Sequence, residues 1–151
     1  MSGLPIYGNQ SGPGGPTPSG IPQFNINYGI TAHSGGGTTS ATPLTAWMNV
    51  VTVVGTTNDS VRLPPGYGAE QVIVVNNGAN TLTVFGSPLT AVGPSGAAGA
   101  TAYDTIAVAT NTTQVTTGVT IAAGADQLFL CLLGQGGETN APTVAQWKAF
   151  K

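Results

Sequence analysis

Charge is what this chain has least of. Asp, Glu, Lys and Arg make up 5% of its 151 residues, against about 25% in ordinary globular domains. No charged residue precedes Asp59, and the basic residues are Arg62, Lys148 and Lys151. Three cations cannot assemble the basic footprint that nucleic acid demands, so no nucleic-acid partner is expected. Cysteine is nearly absent too. Cys131 stands alone inside an apolar run over 128–133, which excludes a disulfide framework or a Cys-rich metal site and reads as a small buried hydrophobe. The opening MSGLPIYGNQ has neither a basic nor an apolar leader segment, so no secretory signal is expected. No run approaches the roughly 18 apolar residues of a membrane-spanning helix, so no membrane partner is expected either.

Catalysis lacks its parts in the same way. His33 is the one histidine and lies in a Gly/Ser loop, HSGGGTTS (33–40), without an orienting acid beside it. Asp59, Glu70, Asp104, Asp126 and Glu138 are widely spaced and mostly flank turns, so no carboxylate pair for acid–base work is legible. Neither a GxSxG elbow nor a Gly-Lys-Ser/Thr phosphate loop occurs. Glycines in GPSGAAGAT (93–101) miss the dinucleotide spacing and read as a loop. The expectation is a non-enzyme with no catalytic residue, no metal and no cofactor.

What is present is β-forming sequence punctuated by turns. Residues 1–40 form an extended Gly/Pro-rich arm: SGPGGPTPSGIP (11–22) lacks the strict glycine period of collagen and cannot build a core alone. Within the arm, QFNINYGI (23–30) alternates Phe24, Ile26 and Tyr28 with Asn25 and Asn27, a strand pattern. From residue 41 to 151 the pattern is β throughout, with strand-like segments at 45–55, 60–68, 102–108, 113–121, 127–133 and 144–150. Many short strands between Gly, Pro and Asn turns predict an all-β fold, an antiparallel, jelly-roll-like β-sandwich. QVIVVNNGANTLTVFG (71–86) reads as a β-hairpin. An Asn77-Gly78 turn would pair Ile73 with Leu82, and a three-residue turn would pair Val74 with Leu82. SPLTAVGPSGAAGAT (87–101) reads as a loop.

So little surface charge leaves a free monomer poorly protected against association. The composition favours a subunit packed against other subunits. Trp47, Phe85, Phe129, Trp147 and Phe150 fall in strands and read as core. The arm has no core for its apolar residues, so Leu4, Ile6, Tyr7, Phe24 and Tyr28 are the candidate subunit-interface residues, as anchors in a partner's pockets.

One stretch carries a family resemblance. VRLPPGYGAEQVIVVNNGANTLTVFGS (61–87), then YDTI (103–106), VTIAAGADQLFLCL (119–132) and QWKAF (146–150), resembles β-rich structural proteins of tailed bacteriophages. In particular it is similar to capsid decoration, or cement, proteins. The resemblance spans about residues 60–150 and leaves the arm outside; the loop 134–143 is longer than the pattern implies. It implies a non-enzymatic virion component on the capsid exterior, a homotrimer that clamps neighbouring major capsid subunits and stabilises the head. Two other classes stay open: a tail or head fibre component binding a host-surface glycan through Thr/Asn-rich loops, and a connector or tail-tube protein.

Overall fold

In the computed structural model, residues 25–66, 70–92, 98–108, 116–133 and 144–150 are described. They contain twelve strands and no helix: β1 (Ile26–Thr31), β2 (Thr42–Pro43), β3 (Met48–Val53), β4 (Ser60–Arg62), β5 (Gln71–Asn76), β6 (Leu82–Phe85), β7 (Pro88–Val92), β8 (Ala98–Tyr103), β9 (Thr105–Val108), β10 (Val119–Ile121), β11 (Asp126–Leu133) and β12 (Gln146–Phe150). One sheet has six strands in the order β1-β3-β5-β11-β12-β9. A second has four, β10-β6-β4-β2, and β7 pairs with β8 alone. The fold is therefore all-β, as the turn-rich sequence predicts.

The sheets are mixed, not antiparallel. Five of the nine pairings between described strands are parallel. The reason lies in how the chain travels. Strands β1 to β6 alternate between the two large sheets, and each lands parallel beside the strand two places earlier. The first half of the molecule is thus a coil of three turns. In the six-stranded sheet its successive turns set Ile26 beside Met48, and Met48 beside Ile73. A parallel neighbour needs a long crossover, and here that crossover is the passage through the other sheet. In the second half β11 lies antiparallel between β5 and β12, β10 lies antiparallel to β6, and β9 adds the fifth parallel pairing, along β12.

The expected 71–86 hairpin does not form. β5 belongs to the six-stranded sheet and β6 to the four-stranded one, so neither Ile73 nor Val74 pairs with Leu82. Two asparagines turn the chain from one sheet to the other. Asn76, fully buried, accepts the Gly78 N–H at 3.0 Å and donates through Nδ2 to the carbonyls of Asn80 (2.8 Å) and Ile121 (3.0 Å). Asn80 Nδ2 donates to the carbonyls of Val54 and Gly55 at 2.8 and 3.0 Å. Neither Asn77 nor Gly78 has the positive φ of a type I′ turn. Glycine is needed at 78 because a Cβ would meet Val54 Cγ2 at 2.6 Å and its backbone N at 2.9 Å. The 87–101 segment, read as a loop, contains β7 and most of β8 instead; its Ala and Gly content hides the strands because those residues are depleted in sheets.

Both large sheets contribute to one core. Val51, Val72, Val74, Phe129 and Trp147 come from the six-stranded sheet, and Val61, Leu82, Val84, Val119 and Ile121 from the four-stranded one. Phe129, Trp147 and Phe85 are buried as expected, and so is Cys131, whereas Trp47 and Phe150 are only half-buried. β1, inside the segment read as arm, is an integral strand of the larger sheet.

Candidate subunit-contact face

A strand shows successive side chains to opposite faces of its sheet. In the six-stranded sheet one set of alternate positions is inside: Asn49 and Val51 on β3, Val72, Val74 and Asn76 on β5, Phe129 and Cys131 on β11, Trp147 and Ala149 on β12 are all buried. The positions between them form the outer face. There the register aligns Ile26, Met48, Ile73, Leu128 and Phe150, one from each of five adjacent strands. A second row runs Tyr28, Val50, Val75 and ends at Asp126. A third crosses Gln71, Leu130 and Lys148.

None of the five residues in the first row belongs to the core. Ile26 is 63% and Tyr28 69% exposed, and the other apolar members of the first two rows are half-buried beside one another. Two charged residues stand in these rows, Asp126 at the start of β11 and Lys148 in the middle of β12, with Lys148 Nζ lying 5.9 Å from the centroid of the Phe150 ring. A monomer seldom presents a contiguous apolar surface of this kind without a partner for it. The arrangement offers dispersion and desolvation over a flat face, and no reacting group.

Of the interface residues named from the sequence, Tyr28 lies on this face. Leu4, Ile6, Tyr7 and Phe24 fall outside the described residues. Sequence reasoning missed Met48, Ile73, Leu128 and Phe150 as a set. The signal was there: β5 (QVIVVN) and β11 (DQLFLCLL) are apolar at both parities, the mark of strands covered on both faces. Their alignment in one row requires the sheet order.

Two buried carboxylates hold loops in place. Asp59 is buried and acts as a hub for the loops around it. Its Oδ2 accepts the N–H groups of Gly55 (2.7 Å) and Thr56 (3.0 Å), and its Oδ1 accepts the Thr56 hydroxyl (2.6 Å) and the Gly35 N–H (3.4 Å). The Thr56 hydroxyl, followed by the Thr56, Gly35 and Gly55 amides, holds this carboxyl below its ordinary pKa, against the opposing effect of burial. Asp104, also buried, accepts the Ala145 N–H at 2.8 Å and so anchors the approach to β12. His33 exchanges two backbone hydrogen bonds with Ser60, each 2.9 Å, and its side chain is exposed. Among the described residues no three His, Cys, Asp or Glu side chains gather where they could hold a metal. A shallow groove of about 380 Å³ lies between Trp47, Pro64, Glu70 and Gln71 at one end of β3 and β5. Comparison of the chain with protein-family models, with curated proteins and with solved structures found no match.

Proposed function

We propose that this protein is a non-enzymatic structural subunit of a bacteriophage virion, a decoration protein on the capsid exterior, with the outer face of its six-stranded sheet as the docking surface. The observation that carries this reading is the row Ile26, Met48, Ile73, Leu128 and Phe150, in register across five strands and outside the core. The near-absence of charge supports it, since a surface that stays covered needs little charge for solubility. The ordered resemblance over residues 60–150 supplies the virion context. The two large sheets with their shared core are read as a sandwich, built on a coil in place of a jelly roll.

In this reading the partner is the major capsid protein and the assembly a trimer at positions of three-fold symmetry. Covering apolar surface contributes roughly 25 cal/mol per Å², and repetition around a symmetry axis turns modest contacts into tight attachment. The clamp stabilises the head against internal pressure. Replacing Ile73 and Leu128 together by Thr keeps strand-favouring residues while removing the apolar surface. Occupancy of purified heads by the Ile73→Thr/Leu128→Thr protein should fall at least tenfold in a sedimentation assay, with the fold intact. Full occupancy by that variant, or attachment of the wild-type protein to host cells instead of heads, would overturn the proposal in favour of a fibre role.

A further inference from the structure

Asn76-Asn77-Gly78-Ala79-Asn80 carries the chain from β5 towards β6, and so from one large sheet to the other. It contains the one Asn-Gly pair of the sequence, Asn77-Gly78. Such a pair is chemically labile, because glycine has no Cβ to hinder its own nitrogen from reaching the asparagine side chain. The fold demands glycine here for packing against Val54, so the labile pair comes with the way the connection fits. Asn77 is exposed to water. The nitrogen that would attack it is not free. The Gly78 N–H is donated to Oδ1 of the fully buried Asn76 at 3.0 Å, and Asn76 is itself fixed through Nδ2 to the carbonyls of Asn80 and Ile121. On its other side, the Asn77 N–H is donated to the Val51 carbonyl at 2.8 Å. The peptide groups before and after Asn77 are thus both pinned.

We infer that Asn77 is a site of spontaneous deamidation, which the folded junction holds off and which, once it has occurred, bars the chain from re-forming that junction. This goes beyond the virion reading and does not depend on it. In the reaction the Gly78 nitrogen loses its proton to solvent base and bonds to Asn77 Cγ. The Cγ–Nδ2 bond breaks and ammonia leaves. Water then opens the cyclic imide at either carbonyl, giving aspartate or, with the main chain rerouted through Cγ, isoaspartate. Two features of the fold oppose the first step. Donation to Asn76 Oδ1 stabilises the nitrogen with its proton on, and contact with Val54 obstructs the rotation that brings the nitrogen to Cγ. The isoaspartate product carries one more main-chain carbon between the N–H that bonds Val51 and the glycine that packs on Val54. Val51 and Val54 both belong to the core, so the lengthened link cannot keep both contacts. The modification therefore records a past opening of the junction.

Incubation of the purified full chain in mildly alkaline buffer, with and without guanidinium chloride, tests the inference, with peptide mapping to follow ammonia loss and isoaspartate at Asn77. Deamidation should run about tenfold or more slowly in the folded chain than in the denatured one, because only opened molecules react. Among folded variants, Asn76→Ala should speed it several-fold more than Asn80→Ala, which breaks the bonds to Val54 and Gly55 but leaves the Gly78 N–H its acceptor. Chain left to form isoaspartate in denaturant should regain less native structure on dilution than chain denatured briefly. Equal rates in the folded and denatured chain would refute the protection, and that comparison needs no variant to fold. Equal acceleration by the two variants would refute the part given to Asn76 Oδ1. Complete refolding of the isoaspartate chain would refute the bar on return. None of these measurements involves heads, so this proposal and the virion reading stand or fall separately.

Discussion

The two faces of the six-stranded sheet are made from the same kinds of residue and stand in different surroundings. Inside, Val51, Val72, Val74 and Phe129 are 0–3% exposed and meet the second sheet. Outside, Ile26, Met48, Ile73 and Leu128 are as apolar yet belong to no core. Only the parity of the position separates them. Hydrophobicity by itself therefore does not say whether a side chain stabilises this chain or its association with another. Substitutions should separate the two faces cleanly.

The largest effect belongs to the inner face. Phe129→Ala removes a fully buried ring at the centre of the core and should destabilise the protein by about 3–5 kcal/mol, read from urea unfolding. Next comes the junction between sheets. Asn76→Ala leaves the Gly78 N–H and the carbonyls of Asn80 and Ile121 without the partners they now have; a loss of about 2–3 kcal/mol is expected by the same measurement. A smaller effect, dependent on pH, should appear at Asp59. Its folded-state pKa is lowered, so the carboxylate adds stability above the ordinary carboxylate range, and that increment is lost as pH falls through the folded-state value. Asp59→Asn should lower the melting temperature at pH 7 and flatten its acid dependence, so that variant and wild type converge in strong acid. On the outer face, Ile73→Thr/Leu128→Thr should change unfolding free energy by no more than about 1 kcal/mol while removing association. A large stability loss from that pair would erase the distinction between the faces.

Most strands were legible in short windows, 26–31 by alternation and 71–76 and 126–133 as apolar runs bounded by turns. Their sheet membership was not. NNGAN (76–80) offers every residue a hairpin turn would use, and the decision against a hairpin is made by long-range bonds, from Asn76 to Ile121 and from Asn80 to Val54. Such partners are invisible to local propensity. Asp59 shows the same limit: beside Asn58 and Ser60 it reads as a solvent-facing turn acid, whereas Gly35, from a distant loop, helps to bury it as an acceptor. The candidate contact face was half legible, since Tyr28 was readable as an unburied aromatic and Met48, Ile73, Leu128 and Phe150 needed the register.

The coil also sets a clock. Each turn finds its first in-sheet neighbour only after a full passage through the other sheet, so Ile26 waits for Met48 and Met48 for Ile73. No early pair of adjacent strands can zip locally as a hairpin does. Closing loops of that length before any ladder forms is an entropic cost met in advance of its reward. Folding on the order of milliseconds to seconds is the regime for topologies dominated by distant pairings. For a chain whose six-stranded sheet is apolar on both sides, that delay exposes two sticky surfaces at once and lengthens the interval in which aggregation competes with folding.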